Sequence, residues 1–243
     1  MESIYTQNFQ ITDNHVDCFG KLKLSTLLYF AQDVAGKHFD TIAMTYDQLA
    51  AKGMFWAIIR QRVRINRLPR SGESIRVETW PMPNTRVAFP RCVVAYDENG
   101  SELFQVLSLW VLMDVESRAM ILPGKSGLTL PGTLRGFELP APGSLPARQL
   151  LHHRSRTVCF TDLDRNGHMN NTRYLDWIAD LLPSEFHSQH SPGEFTVCYL
   201  SEAREGQELT LSWEFSEEGA LNLDAHRAKG EKSERIFSAR LQF

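Results

Sequence analysis

The chain lacks a basic surplus, a paired-cysteine motif and a long apolar run. Its 243 residues carry a formal net charge of −3. No global field therefore draws it to nucleic acid or acidic lipid, and an acidic partner has to be met by a local basic patch. Four cysteines, Cys18, Cys92, Cys159 and Cys198, are scattered without a C-x-x-C pair. That removes zinc-ribbon and thioredoxin readings and fits free thiols in a reducing compartment. No apolar stretch approaches the ~18 residues of a membrane span. The opening residues, Met1-Glu2-Ser3-Ile4-Tyr5, have neither the basic-then-apolar build of a signal peptide nor the Arg/Ser-rich build of a transit segment, so the expected location is the cytoplasm. His152-His153 has no matching ligand set nearby, and neither a metal nor a cofactor is assigned.

What is present is ordinary globular composition, 42% hydrophobic and 23% charged, in a length that allows one large domain or two small ones. Residues 4–11 alternate weakly, as a strand would. From Leu24 the period changes to that of a helix, with Ser25 and Thr26 as N-cap candidates and Gly36 as the C-cap candidate. This helix is apolar almost all round, which predicts enclosure. Strand patterns follow at 56–65 and 74–80, and 91–96 with 103–113 read as a hairpin around Asp97-Glu98-Asn99-Gly100. A buried helix followed by antiparallel strands is an α+β arrangement.

A Pro/Gly-rich stretch, residues 124–148, interrupts the pattern and reads as a connector. Then the scheme restarts: a strand at 153–160, a polar turn, a helix from Asn171 to Leu182 ended by Pro183, and strands at 195–200, 209–213, 221–225 and 236–243, the last two joined by a turn at Lys229-Gly230-Glu231. Arg70-Ser71-Gly72-Glu73-Ser74-Ile75 resembles Arg204-Glu205-Gly206-Gln207-Glu208-Leu209. The expectation is a degenerate duplication, with units at 1–123 and 149–243. The first-half turn, Asp13 to Gly20, is polar too but lacks the Asp-x-Asn-x-His spacing of the second.

That second turn, Asp162-Leu163-Asp164-Arg165-Asn166-Gly167-His168-Met169-Asn170-Asn171, concentrates the polar residues of the chain. Asp162, Asp164, Asn166 and Gly167 match the start of an EF-hand loop, but the twelfth position holds Arg173 where a bidentate glutamate is required, and a strand precedes it. A plain turn capping a helix through Asn170 or Asn171 fits the spacing as well as an active site does.

From Asp162 to Ile178 the chain resembles the D-L-D-x-N-x-H-x-N-N-x-x-Y-x-x-W segment of acyl-acyl carrier protein thioesterases. Trp56 to Trp80, and Leu109 to Met113 with Pro123, resemble other segments of that family. The resemblance implies a double hot-dog fold, two tandem units each wrapping a buried helix in an antiparallel sheet. It also implies hydrolysis of fatty acyl thioesters carried by acyl carrier protein, a step that ends fatty acid synthesis. Matched by position, the family's catalytic residues fall on Asp164, Asn166, His168 and Glu202. Where plant members have Cys after that glutamate, this chain has Ala203, so no thiol nucleophile is available there. The absence of a transit segment is expected of a bacterial-type member.

For thioester hydrolysis, Asp164 can activate water or attack directly, Asn166 and His168 can position the carbonyl and the water, and Glu202 can orient water or share the base role. Backbone N–H groups at 168–171 are expected to hold the oxyanion. The first unit is implied to hold the acyl chain, with Trp56, Phe30 and Met54, beside Tyr29, as lining candidates. Arg60, Arg62 and Arg64 alternate on one strand face, with Arg67 and Arg70 beyond, and form a candidate docking stripe for the acidic carrier protein. An acyl-CoA thioesterase and a non-catalytic acyl-binding protein are the alternatives. A monomer or a homodimer is allowed, because a double hot-dog already contains the pairing that single units obtain by dimerising.

Overall fold

The computed structural model describes residues 3–136, 139–230 and 232–243. Phe137 and Glu138 of the connector and Glu231 of the last turn lie outside the described residues. The chain divides into two compact units, Met1–Pro142 and Gly143–Phe243. Among the described residues, no helix is long and apolar enough to cross a membrane.

The first unit contains β1 (Tyr5–Gln10), α1 (Leu24–Ile42), α2 (Tyr46–Ala51), β2 (Met54–Ile65), β3 (Ser74–Pro81), β4 (Phe89–Tyr96), β5 (Glu102–Asp114) and β6 (Met120–Ile121). Its strands pair antiparallel in the order β1-β3-β4-β5-β2, with β6 added to the far end of β5. Helix α1 packs against β1, β3 and β4. It runs one and a half turns past Gly36, because Phe39 and Ile42 continue the buried stripe of Leu27, Leu28, Ala31, Val34 and Ala35. Gly36 stands on the exposed side, where a glycine weakens a helix without stopping it. Ser25 and Thr26 lie inside the helix rather than capping it; the N-cap position is Lys23 and makes no side-chain cap bond. The helix is one-sided, not apolar all round: Tyr29 is 54% exposed.

One irregularity in β2 decides which way its arginines face. The pairing with β5 steps from Ile58↔Trp110 to Arg60↔Leu109, leaving Ile59 as an extra residue. Ile58, Gln61, Val63 and Ile65 are buried, and Arg60, Arg62 and Arg64 fall on the other face, partly exposed. Were Ile59 paired as an ordinary ladder residue, period-two alternation would put Arg60 on the Ile58 side.

The second unit contains β7 (His152–Thr157), α3 (Arg173–Ala179), α4 (Ser184–Gln189), β8 (Glu194–Tyr199), β9 (Glu208–Phe215), β10 (Ala220–Lys229) and β11 (Lys232–Gln242). Within it the strands pair antiparallel in the order β8-β11-β10-β9-β7. Helix α3 lays Tyr174 on Phe237 of β11, ring centroids 4.4 Å apart, and buries Leu175, Trp177 and Ile178. It is shorter than its apolar pattern. The residue before Pro183 is biased away from helical backbone, and the last carbonyls of α3 are taken by side chains: Arg154 Nη1 donates to Asp180 O at 3.1 Å and His187 Nε2 to Ala179 O at 3.0 Å. Pro183 then opens α4, which the sequence reading did not contain.

Candidate active site

The polar turn of the second unit lies between the 3-10 turn Phe160–Asp162 and α3. Its backbone is closed by Asp164 N–H to His168 O at 2.8 Å and Gly167 N–H to Asp164 O at 3.0 Å. Gly167 has φ +74°, a conformation that favours glycine. The Asp164 carboxylate folds back on this turn: Oδ1 accepts from Asn166 N–H at 2.8 Å and from His168 N–H at 3.4 Å. Asp162 is buried, accepts from Cys159 N–H at 2.9 Å through Oδ2, and holds Asn170 N–H through its carbonyl at 2.8 Å. Asn170 Oδ1 in turn accepts from the Thr172 amide at 2.9 Å and hydroxyl at 3.0 Å. Arg173 pairs with Asp176 inside α3 at 3.0 Å, so the position that a calcium loop needs as carboxylate is a cation engaged elsewhere.

Glu202 arrives from the segment after β8. The Met169 N–H donates to Ala203 O at 2.8 Å, which fastens that segment to the turn. Arg227 of β10 donates to Glu202 O at 3.0 Å and reaches Glu234 at 2.6 Å. The result is a close pair: His168 Nε2 lies 3.0 Å from Glu202 Oε2. The imidazole side chain is 10% exposed and the carboxylate 38% exposed, with Arg204 at 3.6 Å on its outer side. Asn166 is exposed at the rim of the turn. Close by is Tyr199, partly buried, whose hydroxyl donates to Asn171 O at 3.1 Å; desolvation raises its pKa well above the ordinary value and keeps it a neutral donor.

Of the N–H groups expected to hold the oxyanion, those of Met169 and Asn170 are committed to Ala203 O and Asp162 O, and that of His168 leans on Asp164. These three build the turn and are not a free donor set. Nor do the three acyl-lining candidates form one group. Phe30 is buried against Phe9 and His15, with ring centroids 4.3 and 5.2 Å away. Trp56 and Met54 belong to a separate cluster around Phe39, Ile42, Leu49, Phe89, Leu112 and Leu130. Tyr29 faces outward. Arg67 holds Glu73 with two bonds of 2.8 Å and Arg70 donates to Phe19 O at 3.3 Å, so both serve local loops. His153 Nδ1 bonds Ser212 Oγ at 2.8 Å and His152 stacks on Trp213.

The first unit contains the same turn in another residue set. Asp17 N–H donates to Lys21 O at 2.8 Å and Gly20 N–H to Asp17 O at 3.0 Å. Asp17 Oδ1 accepts from Phe19 N–H at 2.9 Å and Lys21 N–H at 3.0 Å. Leu22 N–H donates to Pro69 O at 2.9 Å, as Met169 does to Ala203. Asp17 therefore stands where Asp164 does, Phe19 for Asn166, Lys21 for His168 and Leu68 for Glu202. In the sequence the equivalence is carried by Asp17 and Gly20, three residues apart like Asp164 and Gly167, and not by the Asp-x-Asn-x-His set.

Residues 2–122 match the acyl-ACP thioesterase N-terminal domain and residues 148–243 the C-terminal domain. The chain belongs to the acyl-ACP thioesterase family. It is 24% identical over 238 residues to a chloroplastic palmitoyl-acyl carrier protein thioesterase of Gossypium hirsutum, covering 90% of this chain and 58% of that protein. With oleoyl-acyl carrier protein thioesterase 1 of Arabidopsis thaliana it shares 22% over 244 residues, 90% of this chain and 66% of the relative. The chain thus spans less than two thirds of the length of these plant members. Among solved structures, an acyl-ACP thioesterase from Bacteroides thetaiotaomicron superposes with a TM-score of 0.85 at 23% identity, covering 99% of this chain and 98% of that one. The 12:0-ACP thioesterase of Umbellularia californica gives 0.83 at 19% identity, covering 100% and 97%. This acyl-ACP thioesterase family member has the α+β double hot-dog fold, one hot-dog in each unit.

Proposed function

We propose that the protein hydrolyses fatty acyl-acyl carrier protein thioesters to free fatty acid and carrier thiol. The acyl chain is assigned to the first unit and the chemistry to the second. The observation that carries this reading is the His168–Glu202 pair at 3.0 Å, set in a turn whose twin in the first unit has Lys21 and Leu68 instead. A turn that needs only Asp and Gly to fold has kept Asn, His and Glu for another reason. Cytoplasmic location belongs to the same reading, supported by four free thiols.

Glu202 is the better base than Asp164. It is the more exposed member of the His168 pair, whereas Asp164 Oδ1 already accepts two amides, as Asp17 does where no chemistry is assigned. Glu202 takes a proton from water as the water oxygen attacks the thioester carbonyl carbon. The tetrahedral intermediate collapses, the C–S bond breaks, and the protonated Glu202 returns the proton to the leaving thiolate. His168 Nε2–H holds the carboxylate in line, and the Asn166 amide, exposed at the rim, donates to the developing oxyanion. Asp164 positions both by holding the turn.

The test is thiol release from an acyl-acyl carrier protein, with the matching acyl-CoA as the comparison carrier. Glu202→Gln and His168→Ala each lower kcat/KM by about 10²–10⁴, with melting temperatures near that of the parent. Full activity in Glu202→Gln removes the assigned base; no release by the parent chain from either carrier removes the enzyme reading and leaves an acyl-binding protein.

A further inference from the structure

Arg91 lies in the interior of the first unit, 1% exposed, between apolar neighbours on β4. It faces α1 rather than solvent. Its Nη1 donates to Thr79 Oγ1 at 3.1 Å and meets His38 Nδ1 at 3.1 Å. A guanidinium only donates, so Nδ1 of His38 is the acceptor and that imidazole is neutral. Thr79 spends its own hydroxyl proton on Cys92 O at 2.8 Å. Among the described residues, Nε and Nη2 of Arg91 are buried without a hydrogen-bond partner, and no carboxylate forms an ion pair with Arg91. Burial lowers its pKa to about 9, which still leaves it charged at neutral pH.

On its other side the neighbours are aromatic. The Arg91 guanidinium carbon sits 4.1 Å from the centroid of Phe39, and Phe39 stacks on Trp56 at 4.5 Å. Trp56 and Trp110 are partly exposed, yet their indole Nε1 atoms are buried and unpartnered too. Phe39 thus connects a partly open aromatic cluster, with Met44, Met54, Ile121 and Leu128 around it, to a buried cation. A site with several unpartnered N–H donors and a desolvated positive charge is complemented by an oxygen acceptor. An all-hydrocarbon chain leaves every one of those donors unmet.

We infer that this aromatic cluster takes acyl chains bearing an oxygen substituent, a hydroxyl, keto or carboxyl group, whose oxygen accepts from Arg91 Nε and Nη2. This rests on the reading of the first unit as the acyl-binding half. Arg91 is then a specificity residue that recognises the chain itself, away from the thioester.

The experiment compares carrier-bound acyl chains of equal carbon number, unsubstituted or carrying a hydroxyl, keto or terminal carboxyl group at successive positions. At least one oxygenated isomer is hydrolysed with a kcat/KM at least about tenfold above the unsubstituted chain, since sites built to bond an oxygen discriminate strongly against its absence. Arg91→Met collapses that ratio to near one, and Arg91→Lys restores part of it. The melting temperature of Arg91→Met equals or exceeds that of the parent, because a buried uncompensated charge has been removed. No preference for any oxygenated isomer, or a preference that persists in Arg91→Met, overturns the inference. Calorimetry with free hydroxylated and unsubstituted fatty acids separates this from the catalytic reading. A preference seen there in the unaltered chain supports the site even if no thioester is cleaved, and equal affinities overturn it even if hydrolysis is found.

Discussion

Asp164 and Asp17 do the same local work in different company, and that comparison divides structural from chemical roles residue by residue. Each carboxylate accepts two backbone amides in a turn that closes at a glycine. Asp164→Asn keeps the Oδ1 acceptor, while Asp164→Ala removes it. The alanine variant is expected to lose about 1–3 kcal/mol of stability, seen as a melting-temperature drop of several degrees, and Asp17→Ala to lose a similar amount. The asparagine variant should melt within about a degree or two of the parent and retain most of its activity if Asp164 acts only through the turn. Activity abolished in a normally folded Asp164→Asn would return Asp164 to the chemistry. Asn166 and His168 were readable in the sequence as a dense polar motif, and Glu202 only through family resemblance, since a lone glutamate after a strand carries no signal of its own. Arg91 left a trace that went unused: it is the single charge in Phe89-Pro90-Arg91-Cys92-Val93-Val94-Ala95.

The elements were legible in kind and less so in extent. Alternation marks most of β2 and the start of β3, where buried and partly exposed residues take turns, whereas β4 is buried on both faces; the observed ends differ by one or two residues. The extent of α1 and α3 depended on tertiary facts. Gly36 is tolerated because it faces outward, and α3 stops where Arg154 and His187 take its last carbonyls. The extra residue in β2 is a sharper case. Deleting Ile59 leaves Ile58↔Trp110 followed directly by Arg60↔Leu109, so Arg60, Arg62 and Arg64 keep their face and Gln61, Val63 and Ile65 keep theirs. The deletion is expected to unfold in one cooperative transition by circular dichroism, as Ile59→Ala does. Loss of that transition in the deletion alone would mean that the extra residue is itself needed to hold the strand.

For the molecule as a whole, the acidic carrier protein proposed as substrate would meet a net charge of −3, so any attraction comes from a local patch. The outward face of β2 offers Arg60, Arg62 and Arg64 in one row. Reversing all three to Glu is expected to lower kcat/KM for the carrier-bound substrate by about tenfold or more at low salt, with the gap narrowing as ionic strength rises. The same reversal should leave turnover of the corresponding acyl-CoA within about twofold. Equal losses on both carriers would reject this row as the docking surface. The twin turns add a consequence for how this chain can change over time. The copy holding Phe19 and Lys21 demonstrates that the backbone of the site survives without the groups assigned to chemistry. Natural variation at Asn166, His168 or Glu202 can therefore erase the proposed hydrolysis without erasing the protein. Descendants of such a chain are free to drift from cutting acyl groups to merely carrying them, and a matching outline alone will not tell the two apart.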